Sequence, residues 1–265
     1  MTAHPKVTLV TCKSMPNLFK GEEGLLDELA ARGCDPQIKV WNDPDVDWSE
    51  AGMVVVRSVS DYASDRPAFL EWTKQLRRVQ NSADVLNWNT DKHYLKELAA
   101  LGMPTIPTNW LEPEQNLSKH QIHTRFPAFG EFVVKPAVSS GVRDIGRYTT
   151  VDTRQRQAAM RQVQGLLGEG RSVMIQRYVE EIDLHGEISL VFFNGLVSHA
   201  VEKRSALHPA SVSDPAVHEA VVTAEAADSV AWKWGEEIRR VLHGYVRSRL
   251  GHDEQFLFNR VDLVP

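Results

Sequence analysis

The residues with the clearest chemical character lie in FVVKPAVSSG, Phe132 to Gly141. Phe132, Val133 and Val134 are β formers, and a short continuous apolar run predicts a strand buried on both faces. Lys135 closes that strand. A lysine there is costly unless an anion meets it. Ser139, Ser140 and Gly141 then supply hydroxyls and backbone N–H groups in a flexible loop, which suits phosphate oxygens. On these ten residues alone, a surface lysine before an ordinary turn fits equally well. Lys92 repeats the theme. It is expected in the first turn of a helix N-capped by Thr90 or Asp91, where the helix dipole disfavours a cation unless an anion is near. A solvated lysine is the plainer alternative. Arg57, Ser58 and Asp61 follow a third strand, and ligands of open α/β sheets sit beyond the carboxyl ends of strands. The planar fork of Arg57 suits a substrate carboxylate; a surface arginine paired with Asp61 is the competing reading.

Other chemistry-bearing patterns fail. Gly141 to Tyr148 has a P-loop-like spacing, but arginine stands for the lysine, tyrosine for Ser/Thr, and the strand-like RYTTV follows where a helix is required. There is no H-E-x-x-H, G-x-S-x-G or G-x-G-x-x-G. The histidines show no metal-ligand spacing, and His185, His199 and His208 read as ordinary surface or loop residues. Cys12 ends a strand without an evident base, which weighs against a cysteine-dependent hydrolase.

The elements that must position these residues follow from periodicity. Val7–Thr11, Ile38–Trp41 and Met53–Val56 read as strands. Gly21 to Arg32 reads as a helix closed by Gly33, and Phe69, Trp72, Leu76 and Val79 mark another. This pattern predicts a small α/β domain with a parallel sheet. Tyr94, Leu95, Leu98 and Leu101 form one helix face, ended by Gly102 and Pro104. Residues 109–130 are polar, with two prolines, and read as a linker. Phe132–Pro136, Arg147–Val151 and Ser172–Gln176 are expected strands, with a helix over Thr153–Leu167. Ile188–Phe193 and Leu196–Lys203 flank Asn194-Gly195, the strongest short hairpin signal. A loop with Pro209 and Pro215 leads to an amphipathic helix, Val230–Leu250, with Trp234, Ile238, Val241, Leu242 and Tyr245 on one face and weakened by Gly235 and Gly244. Phe256–Val264 is a last strand, with Arg260 and Asp262 on one side.

Composition bounds the class. The 265 residues are 42% hydrophobic and 25% charged, with net charge −5 and a pI near 6.1. Such a chain can bury a sizeable core and attracts no polyanion, so nucleic acid is not expected as a partner. No run approaches the about 18 apolar residues of a membrane span, and no signal peptide is evident. The two cysteines form no C-x-x-C, so a cytoplasmic location is expected.

Taken in order, Asp91-Lys92, VVKP at Val133–Pro136, SSG at Ser139–Gly141, QRYV at Gln176–Val179, GEISLVFFNG at Gly186–Gly195, SHAVEK at Ser198–Lys203 and RVDLV at Arg260–Val264 resemble an ATP-grasp ligase. VDWSEAGMVVVRS, NWNTDKHYLKEL and FVVKPAVSSGVRD are closer to the branch containing the D-cycloserine-forming O-ureido-D-serine cyclo-ligase, although SVSDY at residues 58–62 departs from that branch's Ser-Thr-Trp-Asp-Tyr. The resemblance implies an ATP-grasp fold, α/β and α+β: a parallel α/β substrate-side domain over residues 1–84, then antiparallel-sheet nucleotide-binding subdomains over 85–265, with a central lid at about 109–178. It implies that Lys92 and Lys135 contact nucleotide phosphates and that Ser139, Ser140 and Gly141 cover them. Gln176 would take the adenine amine, the Val179 backbone the ring edge, and Glu187 with Asp183 the ribose. Lys203 would reach the transferred phosphate, Arg260 the acyl phosphate, and Asp262 Mg²⁺; Arg57, Ser58 and Asp61 would bind substrate.

The implied reaction phosphorylates the carboxylate of a small amino-acid-like substrate with ATP, then joins it to a nitrogen, in this branch a nitrogen of the same molecule. Antibiotic biosynthesis is the implied setting; the sequence leaves the oligomeric state open, with a homodimer as one option. A carboxylate–amine ligase acting on amino acids or peptides is the alternative. The family pattern continues past RVDLV to two further metal ligands that lie beyond the last residue given. On Asp262 alone, the chain is expected to bind nucleotide better than it turns it over, and a nucleotide-binding protein without ligase activity stays open.

Overall fold

The computed structural model describes residues 4–203, 207 and 228–264. In chain order the strands are β1 (Lys6–Thr11), β2 (Asp35–Val40), β3 (Met53–Ser58), β4 (Val79–Gln80), β5 (Thr108–Leu111), β6 (Glu131–Pro136), β7 (Gly146–Thr149), β8 (Val173–Arg177), β9 (Glu187–Phe193), β10 (Leu196–Lys203) and β11 (Phe258–Leu263). The helices are α1 (Gly24–Ala31), α2 (Arg66–Lys74), α3 (Ala83–Asn89), α4 (Tyr94–Ala100), α5 (Lys119–His123), α6 (Thr153–Gly168), α7 (Glu181–His185) and α8 (Ser229–Leu250). The expected loop with His208, Pro209 and Pro215 lies outside the described residues. The chain divides into two compact units: residues 1–90 with 249–257, and residues 91–248 with 258–265.

The first unit is built on a parallel sheet of order β2-β1-β3-β4. β1 is buried along nearly its whole length because both sheet faces are covered. Val10 and Val54 pack with Phe69 and Trp72 of α2 on one side. Val7 and Leu9 meet Leu26 and Leu29 of α1 on the other. Trp41 stands edge-on to Phe69 at 5.5 Å, and Trp48 to Trp72 at 5.0 Å. Asp65 caps α2, accepting from the Ala68 N–H. Val79 departs from expectation: its spacing continues the face of α2, but the helix stops at Lys74 and Val79 joins β4, pairing with Val54.

The second unit holds two antiparallel sheets. The central one has order β5-β8-β6-β7. Phe132, Val134, Val173 and Ile175 face a core completed by Ala159, Val163 and Leu166 of α6. The expected linker at 109–130 is instead structured. TNWL forms the edge strand β5, and α5 begins in a capping box between Ser118 and Gln121. The third sheet has order β10-β9-β11. Its core face carries Leu190, Phe192, Ala200 and Val261, packed by Trp232 and Ile238 of α8.

Gly235 explains how α8 approaches so closely: a Cβ there would lie 2.3 Å from Leu190 Cδ1. A residue that lowers helix propensity thus permits packing. Trp234, expected on the buried face, is instead 42% exposed. The parallel first unit and antiparallel second unit together give the mixed α/β and α+β architecture expected from the sequence.

Candidate active site

The site is assembled from strand ends in the second unit. At the β9–β10 turn, Asn194 and Gly195 both have positive φ, 53° and 76°, as a two-residue type I′ hairpin needs. Counted straight from that turn, Glu202 would oppose Glu187. The register instead shifts between Val197 and His199, so Ser198 is an extra residue and Lys203 pairs with Glu187. A bulge re-aims every side chain beyond it, because successive residues point to opposite faces. β11 completes the row, with Asp262 opposite Ser189 and Arg260 opposite Val191. Glu187, Ser189, Lys203, Arg260 and Asp262 therefore share the face that does not meet α8.

These groups form one charged network. Arg260 Nε lies 2.7 Å from Asp262 Oδ1, and a terminal guanidinium N–H donates to Oδ2 at 2.8 Å. Ser189 is fully buried and donates to Asp262 Oδ1 at 2.6 Å. Lys203 Nζ stands 3.8 Å from both Glu187 and Asp262. Burial pushes the Asp262 carboxyl up, but Arg260, Lys203 and Ser189 outweigh it and hold the group below its usual range. Glu187 goes the other way: burial first, then the Asp262 charge, raise it against the pull of Lys203, Arg260 and Lys135. Gly186, at φ 72°, admits the chain to this row; a Cβ there would sit 2.5 Å from the Lys203 carbonyl oxygen.

The central sheet contributes the other wall. Val133 pairs with Gln176, and Gln176 with Thr108, on the face opposite the α6 core. A cavity of about 430 Å³ is lined by Ile106, Val133, Lys135, Gly141, Gln176 and Val179 on this side and by Glu187, Arg260 and Val264 on the other. That volume is in the range of small-molecule and cofactor sites. Burial lowers the Lys135 ammonium and Glu187 draws it back up.

Lys92 lies in the turn just before α4, not in the first turn of a helix; α4 starts at Tyr94, and Asp91 accepts from the His93 N–H. Its ammonium donates to Ser139 Oγ at 2.7 Å and to the Ser139 carbonyl at 3.0 Å. Burial and the neighbouring Lys135 lower it to about 8. Ser139 is thus committed to Lys92, while Gly141, with φ 62°, lines the cavity. Ser140 stands between them, half-buried. Asp183, expected at the ribose, is bound by Arg147. Arg147 grips it through both guanidinium ends, at 3.1 and 2.7 Å, and also bonds Glu131. The Arg147 guanidinium lies 3.6 Å over the Tyr178 ring, which itself lines the cavity. Sequence reasoning missed Arg147, Tyr178 and Ser189.

Arg57, Ser58 and Asp61 lie in the first unit, at and beyond the carboxyl end of β3. Arg57 pairs with Glu22. Ser58 donates to the other Glu22 oxygen at 2.6 Å, and Asp61 accepts from Trp41 Nε1 at 2.8 Å. Cys12 is buried, with Ser14 and Ser60 as polar contacts at 3.2 and 3.7 Å and the Asp61 charge nearby.

Residues 7–87 match the family model of the D-cycloserine synthetase DcsG N-terminal domain. The cycloserine biosynthesis protein DcsG of Streptomyces lavendulae is 33% identical over 248 residues, 91% of this chain and 79% of that protein. The chain belongs to the DcsG family. The crystal structure of D-cycloserine synthetase DcsG superposes with a TM-score of 0.79 at 29% identity, covering 97% of this chain and 86% of that one. D-alanine–D-alanine ligase from Bacillus anthracis complexed with ATP shares the fold, with a TM-score of 0.58 at 14% identity over 98% of this chain and 82% of that one. The fold is that of ATP-grasp ligases, and this DcsG-family chain is an ATP-dependent ligase. Among the described residues, no helix is long and apolar enough to cross a membrane.

Proposed function

We propose that this protein is an amino-acid cyclo-ligase of the D-cycloserine-forming type. It transfers the γ-phosphoryl group of ATP to a substrate carboxylate, releasing ADP. A nitrogen of the same molecule then attacks the acyl phosphate carbonyl, and inorganic phosphate leaves. O-Ureido-serine is the substrate that the family resemblance implies.

The observation that carries this reading is the convergence of Lys135, Glu187 and Arg260 on one cavity, with Gln176 at its wall and Lys203 beside Glu187. Phosphoryl transfer of this kind is mostly positioning and charge neutralisation. Lys92 and Lys135 bind phosphate oxygens, and Ser139–Gly141 close over them. Lys203 meets the transferred phosphate, and Arg260 stabilises charge on the acyl phosphate. Gln176 and the Val179 backbone hold the base, and Glu187 the ribose. Asp183 acts through Arg147, keeping Tyr178 against the cavity. A closed loop keeps water from an acyl phosphate that would otherwise hydrolyse.

Mg²⁺ at this site would neutralise the charge of the phosphates. The residues fit it. Arg260, Lys203 and Ser189 hold the Asp262 carboxyl below its usual range against burial, so an ionised oxygen is present for a cation. Mg²⁺ needs only one or two carboxylates when phosphates supply the rest. Asp262 would hold the ion.

Substrate recognition is assigned to Arg57, Ser58 and Asp61. The Arg57–Glu22 pair places a cation beside a carboxylate, a charge pattern complementary to a zwitterionic amino acid. A cytoplasmic setting and a homodimer belong to the same proposal; light scattering on the purified protein tests the latter.

ADP release measured against a panel of amino-acid-like acids tests the function, with the product identified by mass. ADP release dependent on an O-ureido-serine, with a cyclised product, is expected. ADP release only when a separate amine is added would make the protein an intermolecular carboxylate–amine ligase instead.

A further inference from the structure

We propose that Thr108, which lies outside every family motif, sets the purine specificity of the nucleotide cavity by fixing which end of the Gln176 amide faces the base. The inference rests on the reading of that cavity as the base site.

The argument is a count of protons. Thr108 lies on edge strand β5, directly opposite Gln176 on β8. Its hydroxyl donates to the Ile106 carbonyl at 2.8 Å. A carbonyl oxygen only accepts, so the single hydroxyl proton is committed there. Toward Gln176, Thr108 Oγ1 can then only accept. The Gln176 amide must therefore present Nε2 to it, and that bond is 2.7 Å long. The alternative amide orientation would bring two acceptors together. Gln176 is 95% buried, its relative exposure being 5%, so it cannot exchange this partner freely for water.

The remaining atom, Gln176 Oε1, accepts no hydrogen bond among the described residues. Gln176 and Ile106 both line the cavity. The site therefore offers a fixed acceptor. Adenine presents a 6-amino donor and is matched by it. Hypoxanthine and guanine present a 6-oxo acceptor and meet it with repulsion. Thr108 is a positioning residue, since it acts only through Gln176.

The test is the ratio of ATP to ITP affinity, measured by calorimetry on the full chain without amino-acid substrate. ITP isolates the 6-position because it lacks the 2-amino group of GTP. In Thr108→Val the acceptor is gone and the Gln176 amide is free to turn. The ATP:ITP preference should fall about tenfold, as expected when one buried hydrogen bond is exchanged for an indifferent contact. Thr108→Ser should keep the wild-type ratio, which a merely structural role for the threonine methyl would not. A ratio that falls in Gln176→Ala but not in Thr108→Val would overturn the role of Thr108 alone. No ATP binding by the wild type, or a ratio untouched by Gln176→Ala, would overturn the base-site reading itself.

Discussion

Replacing Lys135 with methionine separates binding from folding. The side chain keeps its length and loses its charge. In the free protein Lys135 is held at a cost, since burial lowers its ammonium and Lys92 beside it is lowered in turn. Removing that charge relieves both, so thermal stability should hold or rise, as with many binding-site charges. Glu187 loses one attractive partner but keeps Lys203 and Arg260. Against nucleotide the effect reverses. A hydrogen bond to a charged group is worth about 1.5–3 kcal/mol. At about 1.4 kcal/mol per decade, ATP affinity should fall roughly 10- to 150-fold. Calorimetric titration with ATP reads the affinity and differential scanning fluorimetry the stability. An affinity within twofold of wild type would remove Lys135 from the phosphate site. A large loss of thermal stability with unchanged affinity would make it a structural lysine.

Three further outcomes follow from the same geometry. Lys92 titrates at about 8, and phosphate prefers the protonated form, so ATP affinity should decline as pH rises through that value; in Lys135→Met the repelling neighbour is gone, and the decline should begin at higher pH. Asp262→Asn should raise the Mg²⁺ concentration needed for half-maximal ADP release, and an unaltered metal dependence would take Asp262 out of the ion site. Gly186→Ala should cost upward of about 1 kcal/mol of stability, because a Cβ must fit at positive φ and 2.5 Å from the Lys203 carbonyl; chemical denaturation gives the value, and a neutral result would contradict the close approach.

Local chemistry was legible in the sequence and long-range pairing was not. VVKP, the serine–glycine loop and the Asn-Gly hairpin sit within a few residues of the groups they position, so their type and order sufficed. Ser189 became a partner of Asp262 only through the β9–β11 register, 73 residues apart. The extra residue at Ser198, which brings Lys203 rather than Glu202 to Glu187, has no composition signal: neither serine nor its neighbours differ from ordinary strand-edge residues. Arg147 reads as one surface arginine among many until Asp183, Glu131 and Tyr178 are folded around it. Asn109–Leu111 reads as linker because an edge strand needs little apolar content on its outer side. Val79 was misread because a helical spacing can run by chance past the helix end into a two-residue strand.

The central claim is that one triphosphate is held in the cavity between the central and third sheets of the second unit. A crystal structure of the protein with a non-hydrolysable ATP analogue and Mg²⁺ tests it most directly. The account predicts phosphate oxygens within hydrogen-bond reach of Lys92, Lys135 and Lys203, and the adenine amine at Gln176. A nucleotide bound elsewhere, with these three lysines facing only protein or solvent, would contradict it.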